Sequence, residues 1–177
     1  MKDYEKKGNI SGELELDGNL ILTGDLVVEK WIDVKGYIDC AGYSIKAGSF
    51  IKAGYYILAG YFIEAGSFIK AGYYIEAGGS IEAGSFIEAG GSIEAGGSIL
   101  AQLWIKCKST LSAGIYIYSG IVTWRERTEE DMVIECGKLE KGKIEFGTLK
   151  ELGEVKSLSG KTVKVTLDGV EYSAIIK

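Results

Sequence analysis

Histidine and proline are absent from this chain of 177 residues, and cysteine is scarce. Without histidine the commonest general base and the commonest zinc ligand are gone. The three cysteines, Cys40, Cys107 and Cys136, are odd in number and far apart, with no CxxC pair. That pattern favours free thiols in a reducing cytoplasm over a disulfide framework. No basic stripe is present, and a net charge of −5 argues against direct nucleic-acid binding. No apolar run approaches the ~18–20 residues needed to span a bilayer. The opening MKDYEKKGNI has charges and no apolar core, so it is not read as a secretory signal. These absences lead us to expect a cytoplasmic protein with no metal site, no cofactor and no membrane partner.

What the chain has in plenty is glycine, 26 residues of it, set in a repeat. Ile51–Phe68 reads IKAGYYILAGYFIEAGSF and Ile69–Phe86 reads IKAGYYIEAGGSIEAGSF, alike at fifteen of eighteen positions. Each divides into three units of the form I-x-A-G-x-x. A period of six nested in a period of eighteen is the mark of a parallel β-helix with three short strands per coil. The expected class is therefore all-β. Apolar residues recur every six places from Leu14 to Ile38, and after one extra residue near Tyr43–Ser44 from Ile45 to Ile117. A second apolar column follows two places later, so both point inward from a strand while the residue between them meets water. Glycine in the fourth place is expected to turn the corner with a φ that side chains resist. Eighteen hexads over residues 14–122 make about six coils, a rod on the order of 30 Å long at ~4.8 Å per coil.

Residues 1–13 read as an N-terminal arm or cap, and residues 123–177 as a small, mostly β, C-terminal domain. Within the latter, Thr128–Asp131 is a start signal for a short helical turn. TVKVTLDGVEYSAII reads as a hairpin around Asp168-Gly169.

Residues eighteen apart stack, which sorts the outward positions. Phe50, Phe68 and Phe86 form one aromatic ladder; Tyr55 over Tyr73 and Tyr56 over Tyr74 form two more, with Tyr61 and Phe62 beside them. Such ladders stabilise a coil surface by cross-strand pairing. An exposed aromatic area also marks an interface with a partner or a second copy, and the Gly-Ser pairs in the later coils favour that use. The water-facing residues Glu64, Glu76, Glu82, Glu88 and Glu94 supply carboxylates either as a solvated face or as a row presented to an Arg/Lys-rich groove. Lys52 and Lys70 interrupt the negative charge. Trp124 and Arg125, in a run of mixed charge, have the composition of an interface hot spot. Cys40 and Cys107 fall in inward columns, and Cys136 lies outside the repeat. No catalytic constellation is found, so the chain is not expected to be an enzyme.

The hexads I-E-A-G-S-F and I-K-A-G-Y-Y resemble the hexapeptide repeats of left-handed β-helix acyltransferases. Those enzymes use a histidine that this chain lacks, so the resemblance implies fold and not activity. The crossover rule for parallel strands favours the opposite hand. The opening GNISGELELDGNLILTGDLVV is similar to bactofilins, polymer-forming β-helical proteins. The S-I-[KE]-A-G repeat followed by IYIYSGIVTWRERTEEDMVIECGKLEKGKIEFGTL resembles small phage and prophage proteins of Gram-positive bacteria. That resemblance, over Gly36–Leu149, implies a phage accessory protein in the host cytoplasm that inhibits a nucleic-acid-targeting defence complex, as anti-CRISPR proteins do. A self-assembling, bactofilin-like structural protein is the alternative.

Overall fold

Each hexad folds as its alternation dictates, into a three-residue strand with the first and third side chains inward and a three-residue corner. The computed structural model describes residues 1–153 and the backbone of two later strands. Stacked coils form a three-faced parallel β-solenoid. Its first coil is β1 (Asp3–Ile10) and β2 (Leu14–Leu16), and its second is β3 (Asn19–Val28) and β4 (Ile32–Val34). The third comprises β5 (Ile38–Cys40), β6 (Ile45–Ala47) and β7 (Ile51–Ala53). The fourth comprises β8 (Ile57–Ala59), β9 (Ile63–Ala65) and β10 (Ile69–Ala71). The fifth is β11 (Ile75–Ala77), β12 (Ile81–Ala83) and β13 (Ile87–Ala89), and the sixth β14 (Ile93–Ala95), β15 (Ile99–Ala101) and β16 (Ile105–Cys107). Then come β17 (Thr110–Ser119), a single 3-10 turn at Glu130–Met132, and β18 (Val133–Cys136). β19 (Lys138–Phe146) and β20 (Thr148–Glu151) close the rod.

The third face is the eight-stranded sheet β2-β4-β7-β10-β13-β16-β18-β20, so there are eight coils and not the six expected. The first and second faces run β5-β8-β11-β14 and β6-β9-β12-β15, and are joined where β3 and β17 pass the corner without a break. The extra coils come from sequence that lacks the hexad. β1 lies on β3, β18 on β16, β19 on β17 and β20 on β18, so the solenoid extends beyond residues 14–122 at both ends. Beyond it, β21 (Thr162–Leu167) and β22 (Val170–Ile175) pair antiparallel as the hairpin pattern predicts. The Asp168-Gly169 turn itself lies outside the described residues.

The core is two columns per face, isoleucine over isoleucine and alanine over alanine, fully or almost fully buried from Leu20 to Cys136. Burying one isoleucine is worth roughly 2 kcal/mol, and backbone hydrogen bonds such as Ile51 N to Phe68 O (3.0 Å) tie each coil to the next.

The glycine expectation is corrected. The fourth-place glycines of the regular coils do not have positive φ; among them only the close approach of the backbone matters. A Cβ on Gly54, Gly72 or Gly90 would stand 2.0–2.1 Å from a carbonyl oxygen of the coil before. Positive φ is used instead where the repeat slips: Gly42, at φ +88°, absorbs the one extra residue between β5 and β6.

Candidate partner-binding surface

The corners carry the aromatic residues, and they carry them on different edges of the rod. Between the second and third faces Trp31, Phe50, Phe68, Phe86 and Trp104 stack in one ladder, with ring centres 5.5, 4.8, 4.9 and 4.2 Å apart. Between the third and first faces Tyr37, Tyr56 and Tyr74 stack at 4.8 Å, and Tyr55 and Tyr73 stack beside them at 5.9 Å. Tyr61 and Phe62 stand on the remaining corner, between β8 and β9, and so are not beside the other tyrosines. Both longer ladders exceed the sequence reading. The residue inserted before Ile45 makes Trp31–Phe50 and Tyr37–Tyr56 nineteen apart, which hid their first rungs; Trp104 keeps the eighteen-residue spacing and was detectable.

The Phe ladder and the Tyr37, Tyr56 and Tyr74 ladder are both half-buried, whereas Tyr55 and Tyr73 are 45% and 60% exposed. Tyr37, Tyr55, Tyr56, Tyr73 and Tyr74 line a shallow apolar groove of about 390 Å³ that runs up to Met1 and Asn19.

The five glutamates likewise divide among the faces. On the third face the outward column reads Glu15, Asp33, Lys52, Lys70, Glu88, Lys106, Glu135, Lys150. It neutralises itself through Lys52–Asp33 (2.8 Å), Lys70–Glu88 (2.9 Å) and Lys150–Glu135 (2.8 Å). On the second face Glu64 and Glu82 are adjacent, and Glu64 pairs with Lys46 at 2.6 Å. The first face reads Asp39, Leu58, Glu76, Glu94 along coils three to six, with no cation among them. None of these three carboxylates has an ion-pair partner among the described residues. Glu76 and Glu94, one coil apart, repel by roughly 0.8 kcal/mol in water. The first face and the tyrosine corner adjoin, because Tyr37, Tyr56 and Tyr74 each stand immediately before a first-face strand. Burial first, then the charges of Glu76 and Asp39, hold the Tyr74 phenol above its ordinary pKa. Asp39 was missed in the sequence because its column is interrupted by Leu58 and offset by the inserted residue.

Between Ser119 and Val133 the chain leaves the rod. Arg125 donates to both oxygens of Asp131, at 2.8 and 2.7 Å, and the Thr128 backbone N–H and hydroxyl donate to the same carboxylate at 2.7 and 2.9 Å. Asp131 is buried, and the Arg125 guanidinium first, then the Thr128 amide, hold its pKa down to about 2. The helical turn signalled at Thr128–Asp131 is the 3-10 turn that follows. Arg125 is therefore occupied in folding this loop, and Arg127 lies over the Phe146 ring. Trp124 stands 54% exposed.

Cys136 is corrected to an inward position: it is fully buried in β18, in the column that holds Cys107 one coil earlier. Desolvation first raises both thiols, Cys107 to about 12 and Cys136 to about 11, and it raises Cys40 further. All three are free and act as small apolar core residues. Among the described residues no three Cys, Asp or Glu side chains gather as a metal-binding group, and no helix is long and apolar enough to cross a membrane.

Comparison of the chain with protein-family models, with curated proteins and with solved structures gave no match.

Proposed function

We propose that this protein is a non-enzymatic binding protein of phage type, acting in the host cytoplasm. In this reading its rigid rod occludes the nucleic-acid-binding surface of a host defence complex such as a CRISPR effector. The observation that carries the reading is the segregation of charge. The third face cancels its own charges, while the first face keeps Asp39, Glu76 and Glu94 unpaired beside a row of tyrosines. A strip of unpaired carboxylates with adjacent aromatics complements a cationic groove built to hold phosphates. Glu64, Glu82 and Glu88 fall outside this contact, and Trp124 belongs to a separate surface.

The test is a pull-down of tagged protein from a Gram-positive host lysate, with bound species identified by mass spectrometry. Recovery of a defence nuclease that added DNA or RNA displaces is the expected result. Recovery of the protein alone in large assemblies would replace this reading with a self-assembling, bactofilin-like one.

A further inference from the structure

Both tyrosine columns stop at the same step. Coil five carries Tyr73 and Tyr74, and coil six carries Gly91 and Ser92 in their places. Each ring is stacked on its predecessor, and among the described residues no ring and no lysine or arginine covers its other side. The end ring, Tyr73, is accordingly more exposed than Tyr55. Glu76 follows Tyr74 by two residues on the first face, and Glu94 follows Ser92 in the same way, one coil on. The site thus has the exposed ring of Tyr73 and the half-buried ring of Tyr74 below, and the Ser92 hydroxyl, which accepts from Thr110 at 2.9 Å, at the level of the step. At its side stand two carboxylates without ion-pair partners among the described residues.

The face of an aromatic ring is negative, so it attracts cations, and the adjacent carboxylates add to that attraction. The step is shaped for a plate, because the preceding rungs are rings stacked within 3° of parallel. A guanidinium is planar and weakly hydrated, stacks on rings and pairs with carboxylates through its edge; an ammonium is a strongly hydrated point charge. We propose that this step binds an arginine side chain of a partner protein. The guanidinium lies on the rings of Tyr73 and Tyr74, at the level of Gly91 and Ser92, and its N–H groups donate to Glu76 and Glu94. The assignment rests on the reading of the chain as a binder of a cationic protein surface, and it names the side chain that the surface must present.

The experiment is a calorimetric titration of the full chain with octa-arginine and octa-lysine peptides at low salt, with the tyrosine ring signals followed by NMR. Octa-arginine is expected to bind about fivefold more tightly than octa-lysine and to shift Tyr73 and Tyr74. Tyr55→Gly, Tyr56→Ser, Tyr73→Gly and Tyr74→Ser together write into coils four and five the step that coil six already has, so that no Tyr55 or Tyr56 ring is left to form a new step, and the unfolding midpoint is measured beside the affinity. This variant is expected to lose about fivefold in octa-arginine affinity, while Tyr73→Phe with Tyr74→Phe stays within about twofold. Equal affinity for the two peptides would overturn the proposal. So would an unchanged affinity in the Gly/Ser variant, even if Glu76→Gln with Glu94→Gln abolishes binding, since that leaves only general electrostatics. Capture of a defence nuclease without arginine preference overturns this inference alone; arginine preference without such capture overturns the functional reading alone.

Discussion

At the residue scale, two different demands select glycine. Gly72 has no room for a Cβ, which would meet the Gly54 carbonyl oxygen at 2.1 Å, whereas Gly42 has open space but φ +88°. Gly72→Ala should therefore cost about 3 kcal/mol through overpacking of a stacked backbone, and Gly42→Ala about 1 kcal/mol through the left-handed conformation. Urea unfolding of the two variants checks this order; a larger loss at Gly42 would contradict it. The repeat made these glycines conspicuous in the sequence without revealing their reason. Distance between successive coils is a tertiary quantity, and only the stacked backbone displays it. The inward columns, by contrast, were legible residue by residue, since alternation on a strand admits a single reading once one face is buried.

At the scale of elements, the ends of the rod differ from its middle. The register sets Lys6 over Leu22 on an inward column of the first coil, and β1 also carries Asp3, Glu5 and Lys7. β19 presents Lys138, Glu140, Lys141, Lys143 and Glu145 as exposed residues. Charge on a terminal strand, above all charge pointing inward, hinders pairing with another chain. Lys6→Ile combined with Lys7→Thr is expected to promote end-to-end association, measured by light scattering as an increase in size over the parent protein. An unchanged size distribution would show that these charges do not guard the end. The loop after β17 supplies a pH prediction. Asp131 is held at about 2 in the fold against an ordinary 3.8, so its stabilisation is complete above about pH 4 and is lost as pH falls through 2. Hydrogen exchange in residues 121–132 should accelerate on the order of tenfold in Asp131→Asn at neutral pH, with the rest of the rod unaffected. This loop also explains why β18 escaped the sequence reading. Ile134 is the partner of Ile105, 29 residues on where the repeat has eighteen, and the excursion broke the period before the pattern resumed. The first rungs at Trp31 and Tyr37 escaped for a related reason, a single inserted residue at the third coil.

At the scale of the whole molecule, coils three to six are near-identical, each hydrogen-bonded to the coil before it and the coil after it. Stability in such an array is close to a sum of coil and interface terms. Deletion of Ile69–Phe86, one whole coil, should leave a folded protein with the same circular dichroism per residue and a lower unfolding midpoint. Loss of structure on that deletion would mean that the coils are not interchangeable. The eighteen-residue spacing already set Glu64 over Glu82, Glu76 over Glu94 and Glu88 over Lys70, so these columns were legible in the sequence. Asp39 was not, because the inserted residue displaces it from the column of Glu76 and Glu94, and neither were the ion pairs that neutralise the third face.

The central claim is that the first face, and not negative charge in general, engages a partner. The most direct measurement compares capture from host lysate by three proteins: the parent, the first-face reversal Asp39→Lys/Glu76→Lys/Glu94→Lys, and the second-face reversal Glu64→Lys/Glu82→Lys. The account predicts that the parent and the second-face variant retain the same nucleic-acid-binding complex, and that the first-face variant loses it by at least about tenfold. Equal capture by both reversals, or retention by the first-face variant, would contradict it.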